Sequence, residues 1–144
     1  MTPYLDTSAL AKWYLNEPYS EEFEAFIRTQ SPPLAVSRLT VVEFRCLLAR
    51  RRRSGDITKT VESRVYGAFE QDIRHGFLQI YPLADEHLIA ALELIGRLGR
   101  IPLRTLDALH LAIAQDIPVK RLATADRTMA KAAKALGLEV TRFF

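Results

Sequence analysis

Residues 4–10, YLDTSAL, join a short apolar segment to the start of a predicted helix. A short apolar strand, PYLD, ends at Asp6, and the helical apolar spacing of SALAKWYL begins two residues later with no loop between them. A strand that passes directly into a helix is typical of α/β folds. In the open sheets of such folds, ligands bind beyond the carboxyl ends of the strands, where the helices begin. Asp6 therefore takes a position where a carboxylate can act on a ligand.

The rest of the chain continues this alternation of short strands and helices. No repeat, linker or low-complexity segment interrupts it, so the pattern predicts an α/β layer fold around a mainly parallel sheet. The helix predicted over 85–99 has Leu88, Leu92 and Ile95 on one face. Further strands are predicted at LAVS (34–37), FLQIYPL (77–83), KRLATAD (120–126) and LEVTRFF (138–144), and the other helices at 21–30, 39–55, 57–76, 105–117 and 126–137.

Size and composition are those of one ordinary globular domain, spanning 1–144. The 144 residues are 49% hydrophobic and 26% charged, which excludes the low hydrophobicity of disordered chains. The single cysteine, Cys46, cannot form an intramolecular disulfide, and no Cys/His cluster is present to hold zinc. No targeting segment or membrane-length apolar run is recognisable, so we expect a cytoplasmic protein without a membrane partner. The net charge of +3 permits a polyanionic partner without requiring one.

Four acidic residues are predicted to lie along one edge of the sheet. Asp6 and Asp126 follow predicted strands directly, and Glu43 and Asp107 lie in the first turns of predicted helices. Because the carboxyl ends of parallel strands meet at one edge, the four side chains can converge on one pocket although 120 positions separate the first from the last.

Each acid alone has a purely structural explanation. Asp6 and Asp126 fit the helix N-cap position, and Asp107 complements the positive end of a helix dipole. Thr40 to Glu43, TVVE, matches the S/T-x-x-E capping box. Taken singly, capping is the better explanation for each acid.

Taken together, the four acids favour a metal site. Their neighbours are LD, VVEF, LDAL and ATAD, and such apolar flanks place the carboxylates at a buried edge. Carboxylates held close together need a counter-cation, and oxygen ligands without Cys or clustered His favour Mg²⁺ or Mn²⁺. Such a site is suited to phosphodiester hydrolysis, because the metal activates a water and stabilises the leaving oxygen. Ser8 and Thr124 are candidates to orient the carboxylates or metal waters, whereas ordinary cap bonding suits Thr7 better.

Four segments, spread in order along nearly the whole chain, resemble the motifs of PIN-domain ribonucleases. They are YLDTSAL, SRLTVVEFRCLLAR, LRTLDALHLAIA and LATADRTMAKAAKALGL. The resemblance is greatest to the VapC-type toxins of bacterial and archaeal toxin–antitoxin pairs. It implies a three-layer α/β/α fold with a central four- or five-stranded, mainly parallel sheet. It also implies a homodimer that cuts RNA such as transfer or ribosomal RNA and is neutralised by a cognate antitoxin. Asp6, Glu43 and Asp107 would be the main carboxylates of the metal site, with Asp126 in support.

Basic residues near the acids are candidates for binding substrate phosphates. Arg104, three residues before Asp107, and Arg127, beside Asp126, are the best placed, although a salt bridge to a site acid explains each equally well. The run 50–53 of four arginines fits either phosphate contact or a solvated helix end.

Histidine and cysteine are not assigned to the site. His110, one turn after Asp107, is interpreted as a packed core residue, as is Cys46, whereas His75 and His87 are predicted to lie on the surface.

Two other functions remain open from the sequence. One is a metal-dependent nuclease of DNA or of RNA processing that has no antitoxin. The other is a non-catalytic α/β binding module in which all four acids are helix caps. An aspartyl phosphatase is disfavoured because YLDTS lacks the second aspartate of a DxD motif.

Overall fold

In the computed structural model, residues 2–118 and 120–144 are described, and they form seven helices and five strands. Each strand is followed by at least one helix except the last. The strands are β1 (Tyr4–Leu5), β2 (Leu34–Ser37), β3 (Leu78–Tyr81), β4 (Arg121–Thr124) and β5 (Glu139–Arg142). The helices are α1 (Thr7–Tyr14), α2 (Ser20–Arg28), α3 (Arg38–Arg53), α4 (Lys59–Arg74), α5 (Asp85–Arg97), α6 (Thr105–Asp116) and α7 (Arg127–Ala135).

The five strands form one sheet in the order β3-β2-β1-β4-β5, and every pair is parallel. β1 is central, with Tyr4 opposite both Ala35 of β2 and Leu122 of β4. The chain moves outward from β1 to β3 and then crosses to β4 and β5, so the order reverses between β1 and β4. Ligands of doubly wound sheets bind at such a switch point, beyond the carboxyl ends of the strands. Asp6, which follows β1, lies there.

Helices cover both faces of the sheet, so the predicted three-layer α/β/α fold is confirmed, with five strands. Successive strand residues point to opposite faces. Tyr4 belongs to the core under α5, α6 and α7, and Leu5 to the core under α1 to α4. In the second core the Phe44 and Phe69 rings meet edge to face, with centroids 4.9 Å apart.

Helix α6 is buried along most of its length, from Asp107 to Ala114. It packs against α5 on one side and α7 on another. A helix enclosed in this way buries its polar residues as well, and Asp107 and His110 are among them. Two ionisable side chains are thereby held inside the domain, close to the switch point.

Helix α3 begins earlier than the capping-box interpretation requires. Ser37 is its N-cap, with Oγ accepting a hydrogen bond from the backbone N–H of Thr40, and Thr40 Oγ1 accepting from the N–H of Ser37. The predicted Thr40–Glu43 capping box is therefore wrong. Glu43 lies in the second turn of α3, not the first, and its side chain is left free for the pocket described below.

Two predictions about side-chain exposure, those for His87 and Cys46, are also wrong. On α5 the residues that face the core are His87, Ala91 and Leu94, and the face with Leu88, Leu92 and Ile95 is exposed. His87 is thus buried, where its Nδ1 accepts from the N–H of Ala84 and its Nε2 lies 2.6 Å from Asp116. Cys46 is exposed. Within the described part of the chain, no helix has the length and apolarity that crossing a bilayer requires.

Candidate active site

The four predicted acids line one pocket of about 230 Å³ at the carboxyl ends of β1, β2 and β4. Asp6 follows β1 and Asp126 lies two residues after β4, while Glu43 comes from α3 and Asp107 from α6. The other lining residues are Thr7, Ser8, Leu47, Arg50, Arg104, His110 and Met129. The structure therefore brings together side chains that are separated by up to 120 positions in the sequence.

Asp6 is the most buried of the four acids, with 3% of its surface exposed. Its Oδ1 accepts hydrogen bonds from the N–H of Ala9, at 2.9 Å, and from Ser8 Oγ, at 2.7 Å. Its Oδ2 accepts from Thr124 Oγ1. Burial raises the pKa of Asp6 above its ordinary value, although these hydrogen bonds act in the opposite direction. Ser8 and Thr124, the two predicted supporting residues, both hold this carboxylate in place.

Glu43 is oriented through one of its two oxygens. Oε1 accepts from Thr7 Oγ1, at 2.7 Å, and is hydrogen-bonded to His110 Nε2, whereas no described residue donates to Oε2. Burial acts to raise the pKa of Glu43, but the His110 hydrogen bond and charge and the Thr7 hydrogen bond outweigh it, so the pKa lies below its ordinary value. Glu43 is thus ionised at neutral pH, with Oε2 available to a ligand.

His110 connects this carboxylate to a buried network. Its Nδ1 lies 2.6 Å from the hydroxyl of Tyr4, which is also 2.8 Å from Ser37 Oγ. The single hydroxyl proton of Tyr4 goes either to Ser37 or to His110, which fixes whether Nδ1 donates or accepts. In both arrangements Nε2 donates to Glu43, because a carboxylate can only accept.

Arg104 joins the remaining two acids. Its backbone N–H and its Nε each donate to Asp107 Oδ2, at 3.2 Å, and its NH2 group donates to Asp126 Oδ2, at 3.4 Å. The Arg104 side chain is 76% exposed, so this cation covers the pocket from the solvent side. No described residue donates a hydrogen bond to Asp107 Oδ1, which leaves that oxygen available.

Helix capping and site chemistry coexist in three of the acids. Asp6 and Asp126 are the N-caps of α1 and α7, and Asp107 is the third residue of α6. The positive ends of three helix dipoles therefore face the pocket, which reduces the repulsion between the carboxylates. A capping hydrogen bond uses one lone pair of a carboxylate, so it does not prevent ligand binding at the others.

The pocket suits a hard divalent cation such as Mg²⁺ or Mn²⁺, because all four acidic side chains offer carboxylate oxygens to a metal ion. Among residues 2–118 and 120–144, no three Asp, Glu, His or Cys side chains are grouped closely enough to enclose an ion directly. Mg²⁺ commonly keeps several waters and is bound by only one or two carboxylates, so such a group is not required. Glu43 Oε2 and Asp107 Oδ1 are the free oxygens from which such binding can start.

Other predicted residues divide between the pocket and its surroundings. Arg104 lines the pocket, but Arg127 does not; its guanidinium lies over the Phe144 ring, 4.5 Å from the centroid. The arginines of the run 50–53 also differ in their surroundings. Arg50 lines the pocket, whereas Arg51 binds Glu17 and Arg52 binds Glu62.

Two polar pocket residues, Thr7 and His110, were not predicted to belong to the site, and Arg50 was predicted only as one member of the arginine run. Sequence spacing offers a signal for Arg50, which follows Glu43 by two helical turns and so shares its face of α3. No such signal exists for the contact between His110 and Glu43, because they come from different helices and are 67 residues apart.

We expect His110→Ala to reduce the activity of this site by about 10- to 100-fold, the usual effect of removing a group that orients a metal ligand. His110→Gln, which can still donate to Glu43, should recover part of that loss. The rates of both variants are to be compared with His87→Gln, a buried histidine outside the pocket. Equal loss in His87→Gln would show that general destabilisation, and not the orientation of Glu43, is responsible.

Comparison with known proteins identifies the family of the chain. A family model described as the PIN domain matches residues 4–135. The chain is 33% identical to Ribonuclease VapC46 of Mycobacterium tuberculosis over 139 residues, 95% of this chain and 94% of that protein.

Solved structures share the fold. VapC20 of Mycobacterium tuberculosis, described as a sarcin-ricin loop cleaving toxin, superposes with a TM-score of 0.73 at 16% identity, over 95% of this chain and 96% of the other. A toxin–antitoxin complex from Klebsiella pneumoniae gives a TM-score of 0.61 at 18% identity, over 87% of each chain. The chain therefore belongs to the PIN domain family, among the VapC-type ribonucleases.

Proposed function

We propose that this protein is a Mg²⁺- or Mn²⁺-dependent endoribonuclease that hydrolyses phosphodiester bonds of transfer or ribosomal RNA in the cytoplasm, as one PIN-like domain over 1–144. The observation that carries the proposal is the pocket in which Asp6, Glu43, Asp107 and Asp126 converge beside an exposed arginine. Four carboxylates attract a divalent cation, and the arginine attracts a phosphate. The name of VapC46 and the described target of VapC20 support RNA as the substrate.

Each acid has a role that follows from its surroundings. Glu43 and Asp107 would hold the ion through their free oxygens. Asp6, the most buried of the four acids, would complete the site on its inner side, where Ser8 and Thr124 hold its carboxylate in place. Asp126 would support the ion from the rim, because its Oδ1 is already engaged with the N–H of Met129. When bound, the ion would lower the pKa of a water and stabilise the leaving oxygen.

The basic residues at the pocket mouth would position the substrate. Arg104 is exposed and engages Asp107 and Asp126 with its guanidinium at 3.2 and 3.4 Å. A divalent cation in the pocket would compete for these two carboxylates, and the freed guanidinium can then bind a substrate phosphate in a bidentate manner. Arg50, which also lines the pocket, is a second phosphate contact in this proposal.

Cleavage assays test the proposed reaction. Purified protein is incubated with transfer RNAs, ribosomal RNA fragments and single-stranded DNA of matched length, each with Mg²⁺, Mn²⁺ or a chelator. We expect RNA to be cut in the presence of metal only, and DNA to remain intact. Cleavage in chelator, or intact RNA with both metals across the whole panel, would contradict the proposal.

A protein antitoxin is part of the same proposal. The Klebsiella pneumoniae structure with this fold is described as a toxin–antitoxin complex, which supports a partner of this kind. A small reading frame beside the gene is the candidate, and its product should co-purify with this chain and suppress RNA cleavage. Full cleavage activity in the presence of that product would exclude it as the antitoxin.

We further infer a homodimer that forms through the exposed apolar face of α5. Leu88, Ile89, Leu92 and Ile95 lie at helical spacing on this face, and Leu92 is 73% exposed. A contiguous apolar stripe of this kind on a protein surface marks an interaction site. The family resemblance supports a second copy of the chain as its occupant.

Leu92→Glu is expected to convert the dimer into a monomer, because a buried, unpaired carboxylate in an apolar interface is costly. The dimer dissociation constant should rise by about 100-fold or more, which light scattering over a concentration series will measure. Glu93→Gln, an exposed change on the same helix, is the control. Unchanged dimerisation by Leu92→Glu would place the interface elsewhere.

A further inference from the structure

A second basic surface lies outside the acidic pocket, on α7 and β5. It consists of Arg127, Lys131, Lys134, Arg142 and Phe144, which together with Ala130 line a shallow depression of about 300 Å³. The first three occupy positions i, i+4 and i+7 of α7, so they form one stripe along the helix. Arg142, at the end of the neighbouring strand β5, lies across the depression from this stripe. We call these five residues the Phe144 surface.

The four cations of the Phe144 surface have no acidic partner within residues 2–118 and 120–144. Each of them is exposed, and none takes part in a salt bridge there. Other cations of the described chain do have acidic partners, as in the contacts of Arg51 with Glu17 and of Arg52 with Glu62. Four unpaired charges around one depression therefore form a local positive field that attracts an anion.

Phe144 organises two of these cations. The guanidinium carbons of Arg127 and Arg142 lie 4.5 and 5.7 Å from the centroid of its half-buried ring, within the range of cation–π attraction. The ring thus restrains both side chains before any ligand binds, which lowers the entropy lost on binding. Arginine planes and aromatic rings are also the groups on which unpaired bases stack.

The Phe144 surface continues directly from the acidic pocket. Asp126, on the pocket rim, is the N-cap of α7, and Arg127 is the next residue. From there the basic stripe follows the helix away from the pocket for seven residues, about 10 Å at 1.5 Å per residue. We propose that the Phe144 surface binds the single-stranded RNA that flanks the bond cut in the acidic pocket, with its phosphates on the four cations. This inference rests on the proposed ribonuclease function and adds a second contact region for the same substrate.

RNA fits this surface better than an acidic protein segment does. A strand that enters the acidic pocket must continue past its rim, and the basic stripe starts at that rim. The combination of a positively charged groove with an aromatic ring is the common design for binding single-stranded nucleic acid. An acidic protein segment requires the charges alone and gives no role to the contacts of Phe144.

The test measures RNA binding separately from cleavage. A fluorescent single-stranded RNA of about 12 nucleotides is titrated with protein in chelator, where no divalent ion can join the RNA to the acidic pocket and no metal-dependent cleavage occurs. The variants are Lys131→Gln/Lys134→Gln, Phe144→Ala and, as the matched control, Lys59→Gln/Arg64→Gln on α4, which packs at the opposite edge of the sheet.

We expect the lysine pair to weaken RNA binding about tenfold, as the sum of two exposed charge contacts. The slope of log K against log salt should become shallower by about 1.4, because two phosphate contacts are lost from a single strand. Phe144→Ala should weaken binding about five- to tenfold without removing a charge. The control pair should bind RNA like the unaltered protein.

Unchanged RNA affinity in both surface variants would overturn the proposal and leave the depression to an acidic protein partner. An equal loss in the control pair would also overturn it, because net charge alone would then account for binding. Cleavage assays keep the two proposals distinguishable: if the unaltered protein binds RNA through this surface but cuts no RNA with Mg²⁺ or Mn²⁺, only the proposed activity fails.

Discussion

Asp107→Asn is expected to lower the rate of RNA cleavage by about 10³-fold or more, while the fold is retained. The substitution removes the charge of a buried carboxylate that keeps one oxygen free in the pocket. Loss of a direct metal ligand costs several kcal/mol of transition-state stabilisation, and each 1.36 kcal/mol is a factor of ten in rate. Cleavage of a labelled RNA under single-turnover conditions measures the effect.

Asp85→Asn is the matched control, because Asp85 is an exposed acid in the first turn of α5 just as Asp107 lies in the first turn of α6. It should cut RNA at the unaltered rate. Asp126→Asn should impair cleavage less than Asp107→Asn, since Asp126 is the N-cap of α7 and supports the site from the rim. An equal or larger loss in Asp126→Asn would show this ranking to be wrong, and full activity in Asp107→Asn would refute the site itself.

Asp6→Asn is expected to abolish cleavage and also to stabilise the metal-free protein at neutral pH. Burial raises the pKa of Asp6 above its ordinary value of 3.8, so the folded protein binds this proton more tightly than the unfolded chain does. The free energy of unfolding therefore falls as pH rises from that ordinary value through the raised pKa. Asparagine carries no charge at any of these pH values, so the Asp6→Asn variant does not undergo this decrease in the free energy of unfolding.

Thermal unfolding in chelator measures the second effect. The Tm of Asp6→Asn at pH 7 should exceed that of the unaltered protein by about 4 °C or more, roughly 1 kcal/mol for a chain of this length. The difference should shrink as pH falls below the ordinary pKa of 3.8, where Asp6 becomes protonated in both the folded and the unfolded state. Added Mg²⁺ should raise the Tm of the unaltered protein but not that of the variant. A lower Tm for Asp6→Asn in chelator at pH 7 would contradict the burial argument.

The metal-free pocket is stabilised by groups of the chain itself. Arg104 spans Asp107 and Asp126, and His110 donates to Glu43. The hydrogen-bond partners of Asp6 among the described residues are uncharged groups, namely Ser8, the N–H of Ala9 and Thr124. Asp6 is more deeply buried than Glu43, and burial raises its pKa, whereas the hydrogen bonds and charge around Glu43 outweigh burial and lower the pKa of that carboxyl. The burial of Asp6 also makes it the acid with the most to gain from a bound ion.

Much of the fold follows from local sequence patterns. The direct passage from β1 to α1 at Asp6, and the alternation of strands and helices, predicted the parallel sheet correctly. Burial was predicted less well. Periodicity shows that Leu88, Leu92 and Ile95 share a face of α5, but it does not show which face meets the core. That choice depends on packing against α6, where Ala91 and Leu94 fit the interface.

Asp6, Asp107 and Asp126 were predictable because they follow strands or begin helices at one edge of a parallel sheet, whereas Glu43 reaches the same pocket from the second turn of α3. The residues that contact these acids were harder to predict from the sequence. His110 resembles an ordinary core residue within an apolar helix, and its contact with Glu43 depends on how α6 crosses α3. Arg127 had the right position in sequence, next to Asp126, but its side chain lies over Phe144. That contact could not be inferred from spacing, because it joins α7 to the residues after β5.

The most direct test of the four-carboxylate site is a Mn²⁺ titration of the purified protein, followed by the paramagnetic resonance signal of the free ion. We predict saturable binding to the unaltered protein and to Asp85→Asn, with an affinity at least about tenfold weaker in Asp107→Asn, and competition by Mg²⁺. Absence of binding, or equal binding by Asp107→Asn and the unaltered protein, would contradict the site and leave the acids as helix caps.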